Sequence, residues 1–234
     1  MLKHKHLIIF IDILAILVIA CNPADKPQKV YNRSGVLESE ISMKDGVREG
    51  PTTNYYESGK IQSVFNFKNG KEEGESVWYY EDGKPYQVTW FVNGEEEGIQ
   101  KKYYKTGELL AEVPFHKGKQ LTGMKEYTEK GELITGYPEI VFEKPVRTSP
   151  SGQFLLRMHL SDNSKAVVFE QLTVNSMGDT VMADVLTREG IGEIPFFVGK
   201  GQTVTVQAQI RAKTRTRLKN IYITDRKYYS KIRN

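Results

Sequence analysis

The sequence predicts an all-β protein: an antiparallel array of β-hairpins with a 24-residue period, followed by a two-sheet sandwich of immunoglobulin type. Three observations carry this. Tyr31, Tyr55, Tyr79, Tyr103 and Tyr127 stand 24 residues apart, as do Gly35, Gly59, Gly83, Gly107 and Gly131. A second glycine series, Gly46, Gly70, Gly94 and Gly118, keeps the same period. Beyond residue 138 the period is lost, and short runs of alternating apolar residues continue between turn residues. A fixed period of this size marks a repeat architecture.

Residues 1–20 come first and read as an export signal. Lys3 and Lys5 precede the apolar stretch Leu7–Ala20, which ends in small residues. A membrane span needs ~20 apolar residues; this stretch is shorter and carries Asp12. Val18-Ile19-Ala20-Cys21 resembles the bacterial lipobox, which implies that Cys21 is lipidated and becomes the mature N-terminus. Cys21 is also the single cysteine of the chain, so no disulfide can claim it. The expectation is a membrane anchor through the N-terminal lipid. Asn22 stands where many inner-membrane lipoproteins carry aspartate, so the outer membrane is expected, with the protein facing the periplasm or the exterior. Residues 21–29 include Pro23 and Pro27 with no apolar pattern and read as a tether.

Residues 30–137 are the array. The glycines mark one turn per strand of about eight residues. Asp45-Gly46, Asn69-Gly70, Asp82-Gly83 and Asn93-Gly94 are type I′ hairpin signals, because both central residues need positive φ. Period two then sets the faces. Phe67, Phe65, Ser63 and Ile61 share one face with Phe91, Thr89, Gln87 and Pro85, and with Phe115, Val113, Ala111 and Leu109. Tyr55, Tyr79 and Tyr103 are expected on that face, as a ladder joining neighbouring hairpins.

The phrase NGKEEGESVWYYEDGK at 69–84, copied as NGEEEGIQKKYYKTGE at 93–108, resembles the bacterial variant of the MORN repeat. The resemblance covers about residues 30–137. It implies extended hairpin arrays with binding or scaffolding roles, and some bacterial members carry an antitoxin-like label. The fourth unit departs from the pattern, with Thr128 for the second tyrosine and Gly123 displaced, and reads as a cap.

Residues 138–234 form the second domain. Alternation runs through Phe154–Leu160, Val181–Val185, Val204–Ile210 and Ile221–Ile223, with turns at 149–152, 162–164, 177–179 and 199–201. About seven short strands in this length suggest the sandwich.

Composition excludes some functions. Without residues 1–20 the net charge falls from +4 to +3, too balanced for nucleic-acid binding by bulk charge. His116 and His159 lie in different domains, and no nucleophile motif or phosphate loop appears, so neither enzyme nor cofactor is expected. Glu72-Glu73 and Glu95-Glu96-Glu97 lack the alternating oxygens of a calcium loop and read as solvated turns.

Two features point to binding. Trp78, Tyr80, Tyr86 and Trp90 are expected together on the face opposite Phe91, either as an exposed aromatic patch or covered by the second domain. Arg211, Lys213, Arg215, Arg217 and Lys219 alternate, either as a basic ladder on one strand or split by a turn near 213–216. The expected function is that of a lipid-anchored envelope protein without catalytic activity, contacting another envelope protein or a glycan. The alternative is an antitoxin or immunity-type inhibitor that masks a toxin.

Overall fold

A computed structural model describes residues 26–234, and their regular structure is strand throughout. The expected export signal and Cys21 lie outside these residues. The first sheet is built from β1 (Gln28–Tyr31), β2 (Leu37–Lys44), β3 (Val47–Tyr55), β4 (Ile61–Lys68), β5 (Lys71–Glu72), β6 (Gly74–Tyr79), β7 (Pro85–Val92), β8 (Glu95–Tyr103), β9 (Leu109–His116), β10 (Lys119–Gln120) and β11 (Lys125–Glu126). The long strands pair in chain order, β1-β2-β3-β4-β6-β7-β8-β9, as one antiparallel meander, with the short β5 also on β4 and the short β10 and β11 both on β9.

The two ends of each hairpin turn differently. Asp45, Asn69, Asn93 and Lys117 have φ near +50°, and each precedes a glycine that is also positive, as a type I′ turn requires. Asp82-Gly83 does not follow this pattern. Only Gly83 is left-handed there, and its amide donates to the Tyr80 carbonyl while Tyr80 N–H donates to Lys84 O. That is a longer loop closed by a glycine, so the I′ expectation fails at this site.

A third glycine series, Gly50, Gly74 and Gly98, lies inside the strands with φ of 90°, 84° and 77°. Each marks a bulge. Val88 pairs Lys101, yet Trp90 pairs Glu97, so the register slips at Gly98. Two extra residues at each of these sites bend the strand and increase the twist.

The paired tyrosines join the repeats, though not as expected. Tyr56 OH donates to the Tyr79 carbonyl at 2.5 Å, Tyr80 OH to Tyr103 O at 2.7 Å and Tyr104 OH to Tyr127 O at 2.7 Å. The second tyrosine of each pair therefore reaches the backbone of the next hairpin. The first tyrosines are not on the phenylalanine face. Tyr55 OH donates to Glu40 and Tyr127 OH to Glu112, both on the other side of the sheet. At the array ends Asn32 and Thr128 replace the second tyrosine, and each caps its own turn with its side-chain oxygen.

The second unit contains β12 (Ile140–Phe142), β13 (Val146–Arg147), β14 (Gln153–Leu160), β15 (Val167–Val174), β16 (Thr180–Asp184), β17 (Leu186–Arg188), β18 (Ile191–Phe197), β19 (Thr203–Arg215) and β20 (Ile221–Arg233). One sheet runs β12-β14-β18-β17, with β13 also on β14; the other runs β16-β15-β19-β20. In chain order these are the ABED and C′CFG sheets of an immunoglobulin-type sandwich. Between them Leu156, Met158, Leu160, Phe169 and Ile210 are fully buried.

Candidate binding face

The strand register divides the array into two faces. Trp78 pairs Ser63 and Gln87, which places it with Thr89 and Phe91. Its ring meets Phe65 edge-on, with centroids 4.9 Å apart. Tyr86 is the extra residue where pairing slips from Trp78–Gln87 to Tyr79–Pro85, so it leaves strict alternation. Leu110, the same position one repeat later, packs with Ala111 and Val113. Tyr86 correspondingly joins this side and meets the Tyr80 ring at 5.3 Å. Trp90 pairs Glu75 and Glu97 on the opposite face. The expected single patch is thus divided: Trp78, Tyr80 and Tyr86 on the phenylalanine face, Trp90 on the other.

The phenylalanine face is aromatic at its rims and polar along its middle. Thr52, Ser63, Ser76, Thr89 and Gln100 are buried there. Ser39, Asn54 and Ser63 form a chain of side-chain hydrogen bonds at 2.7 Å and 2.9 Å. Near the upper turns Arg48, Glu72, Glu96 and Gln120 occupy one repeat position. Burial raises the Glu72 carboxyl above its usual range, opposed by Arg48. Glu96 is raised by burial and then by the charge of Glu72.

The acidic runs are not simply solvated turns. Glu49, Glu73 and Glu97 each accept the turn amide of the following hairpin, from Asn69, Asn93 and Lys117, at 2.7–3.1 Å. His116 also contacts Glu97 at 3.0 Å, and these two hydrogen bonds lower the Glu97 carboxyl. No metal-ligating cluster occurs among the described residues.

The sandwich touches the phenylalanine face at its C-terminal end. The turn of the β19–β20 hairpin, 216–220, sits over β11. Glu126, 2% exposed, accepts from Thr216 Oγ1 at 2.6 Å, Asn220 Nδ2 at 2.7 Å and Tyr137 OH at 3.1 Å. Lys102 Nζ donates to Asn220 Oδ1 at 2.8 Å; burial lowers its pKa, and Glu126 and Glu96 oppose the shift. Tyr137 stacks on Tyr222 at 4.6 Å. Nothing in the residue types alone nominated Glu126.

This turn also divides the basic series. Arg211 donates to both Asp225 oxygens at 2.8 Å, and Lys213 to Glu170 at 2.7 Å. Arg215 ends the strand, while Arg217 and Lys219 lie on the turn, so the continuous ladder does not form.

The opposite face of the array holds the exposed apolar side chains. Trp90 is 51% exposed, Ile99 49%, and Val92 is exposed beside them. Ile99 pairs Pro114, and Glu75 and Glu97 flank Trp90.

This arrangement defines a β-hairpin repeat protein with a sandwich docked on its last repeat. Residues 48–69, 72–91 and 96–117 match the MORN repeat variant, with starts 24 residues apart. Repeats of this kind generally mediate protein or membrane binding. No curated protein matches the chain.

Proposed function

We propose that this chain is a binding and scaffold protein without catalytic activity, held at the cell envelope by a lipid on Cys21. Its array recognises another envelope protein through the face bearing Trp90. The observation that carries this reading is the 51% exposure of Trp90 beside the half-exposed Ile99, opposite the face the sandwich touches. An apolar centre with a charged rim is the anatomy of a protein interface, which favours a protein over a glycan.

The separation of the two tryptophans gives the test. Trp90→Ala should weaken partner capture from detergent-solubilised envelope by more than ~10-fold, with little change in melting temperature. Trp78→Ala, which removes the contact with Phe65, should lower the melting temperature instead. Undiminished capture by Trp90→Ala would overturn the assignment. For the anchor, Cys21→Ser should abolish labelling by a clickable fatty acid, and persistent labelling would count against lipidation at this residue.

A further inference from the structure

The sheet β16-β15-β19-β20 has two edges of opposite character. The β20 edge is long and carries Arg226, Lys227, Lys231 and Arg233. Charged side chains, lysine above all, are how a sheet edge is protected from pairing with another chain. The β16 edge, Thr180-Val181-Met182-Ala183-Asp184, has no lysine, no proline and no bulge, and every residue in it is exposed. Apolar side chains crowd the same side of the sandwich: Val174 is 72% exposed, Met177 82% and Leu186 71%.

We propose that β16 pairs with β16 of a second copy, antiparallel about a two-fold axis through Met182, joining two four-stranded sheets into one. The local chemistry selects a second copy. Centring on Met182 sets Thr180 opposite Asp184 and Val181 opposite Ala183, so no like charges meet and the Asp184 carboxylate faces a hydroxyl. The basic side chains on the neighbouring strands are already paired, Arg211 with Asp225 and Lys213 with Glu170, and Asp179 at the strand's start would lie opposite Val185 rather than another carboxylate. A one-residue shift of register would turn the apolar members of the strand against the wrong faces. The pairing is isologous, so it closes at a dimer and cannot propagate. It leaves the array face around Trp90 free, and two copies would present that face twice.

The test is crosslinking by register. In an antiparallel pair, residues directly opposite have Cα atoms about 4.5–5.5 Å apart, inside the ~4.4–6.8 Å range of a disulfide. In the full-length chain with Cys21→Ser, which removes the single native thiol, Met182→Cys should oxidise to a covalent dimer. Thr180→Cys should not, because its symmetry mate lies about 14 Å away along the strand. Without crosslinking, sedimentation equilibrium should give twice the monomer mass for the parent chain, and Val181→Lys with Met182→Lys should return it to monomer with unchanged circular dichroism. Three results would overturn the proposal: a monomer at every concentration, which would point to a strand from a different protein; equal crosslinking of the two cysteine variants; or a dimer that survives both lysines.

Discussion

The hairpin array and the sandwich solve the same problem with different interiors. Between the sandwich sheets lie Leu156, Met158, Leu160, Phe169 and Ile210, a shared apolar core to which every strand layer contributes. In the array much of what is buried is polar: Thr52, Ser63, Ser76, Thr89 and Gln100. Its cohesion comes from bonds passed between neighbours. Each second tyrosine donates to the next hairpin's backbone, and each of Glu49, Glu73 and Glu97 clamps the next turn. A core is a collective property of its layers, whereas a chain of neighbour contacts is local, so damage to one hairpin should remain near it.

Both tryptophans lie in the array, so their emission reports on it alone. The largest expected effect is in the sandwich. Phe169→Ala should cost ~3–5 kcal/mol and lower the unfolding midpoint seen by circular dichroism. The tryptophan midpoint should move much less. Equal movement of both would mean that the Glu126 node welds the halves into one cooperative unit.

A smaller effect is expected from Tyr80→Phe, which removes only the hydroxyl bonded to Tyr103 O. A single hydrogen bond contributes about 1 kcal/mol. The loss should appear in tryptophan emission, and adding Tyr104→Phe should be nearly additive. Strong non-additivity would show that the repeats share more than neighbour contacts.

The smallest effect concerns pH. Burial and the charge of Glu72 raise Glu96 above its ordinary range. A carboxyl whose folded pKa is raised supports the fold below its unfolded pKa, and that support is lost as pH rises through the folded value. At neutral pH the charge is therefore a small burden on the array. Glu96→Gln should raise the melting temperature at pH 7, and the gain should vanish below about pH 4, near the ordinary glutamate pKa. A gain that persists in acid would mean that charge is not its cause.

Turn chemistry is written locally, which is why the hairpins were legible. Asn69-Gly70 and Asn93-Gly94 need no distant partner to take positive φ. The sandwich was legible from alternation, because two-sided strands around an apolar core keep period two. Side assignment failed where a bulge breaks that period, and Tyr86 shows it: one extra residue places it with Trp78, not Trp90. The role of the second tyrosine was hidden because its acceptor is a backbone carbonyl one repeat away, which no residue type announces. A turn splitting the basic series was legible, but its position, 216–220 rather than 213–216, was obscured because its left-handed residue is Lys219, at φ 64°, not a glycine. Glu126 became visible only when the sandwich and the last repeat met.

The tyrosine-to-carbonyl bond also makes distance heritable in units. Because each hairpin contacts its neighbours in the same way, duplication or deletion of one 24-residue unit leaves every type of contact intact. Two strands add about 10 Å of sheet width and turn the following structure by roughly 40–50°. Evolution could thus lengthen the array like a ruler cut at fixed marks, moving the sandwich outward and redirecting it in discrete steps, with no new interface to invent.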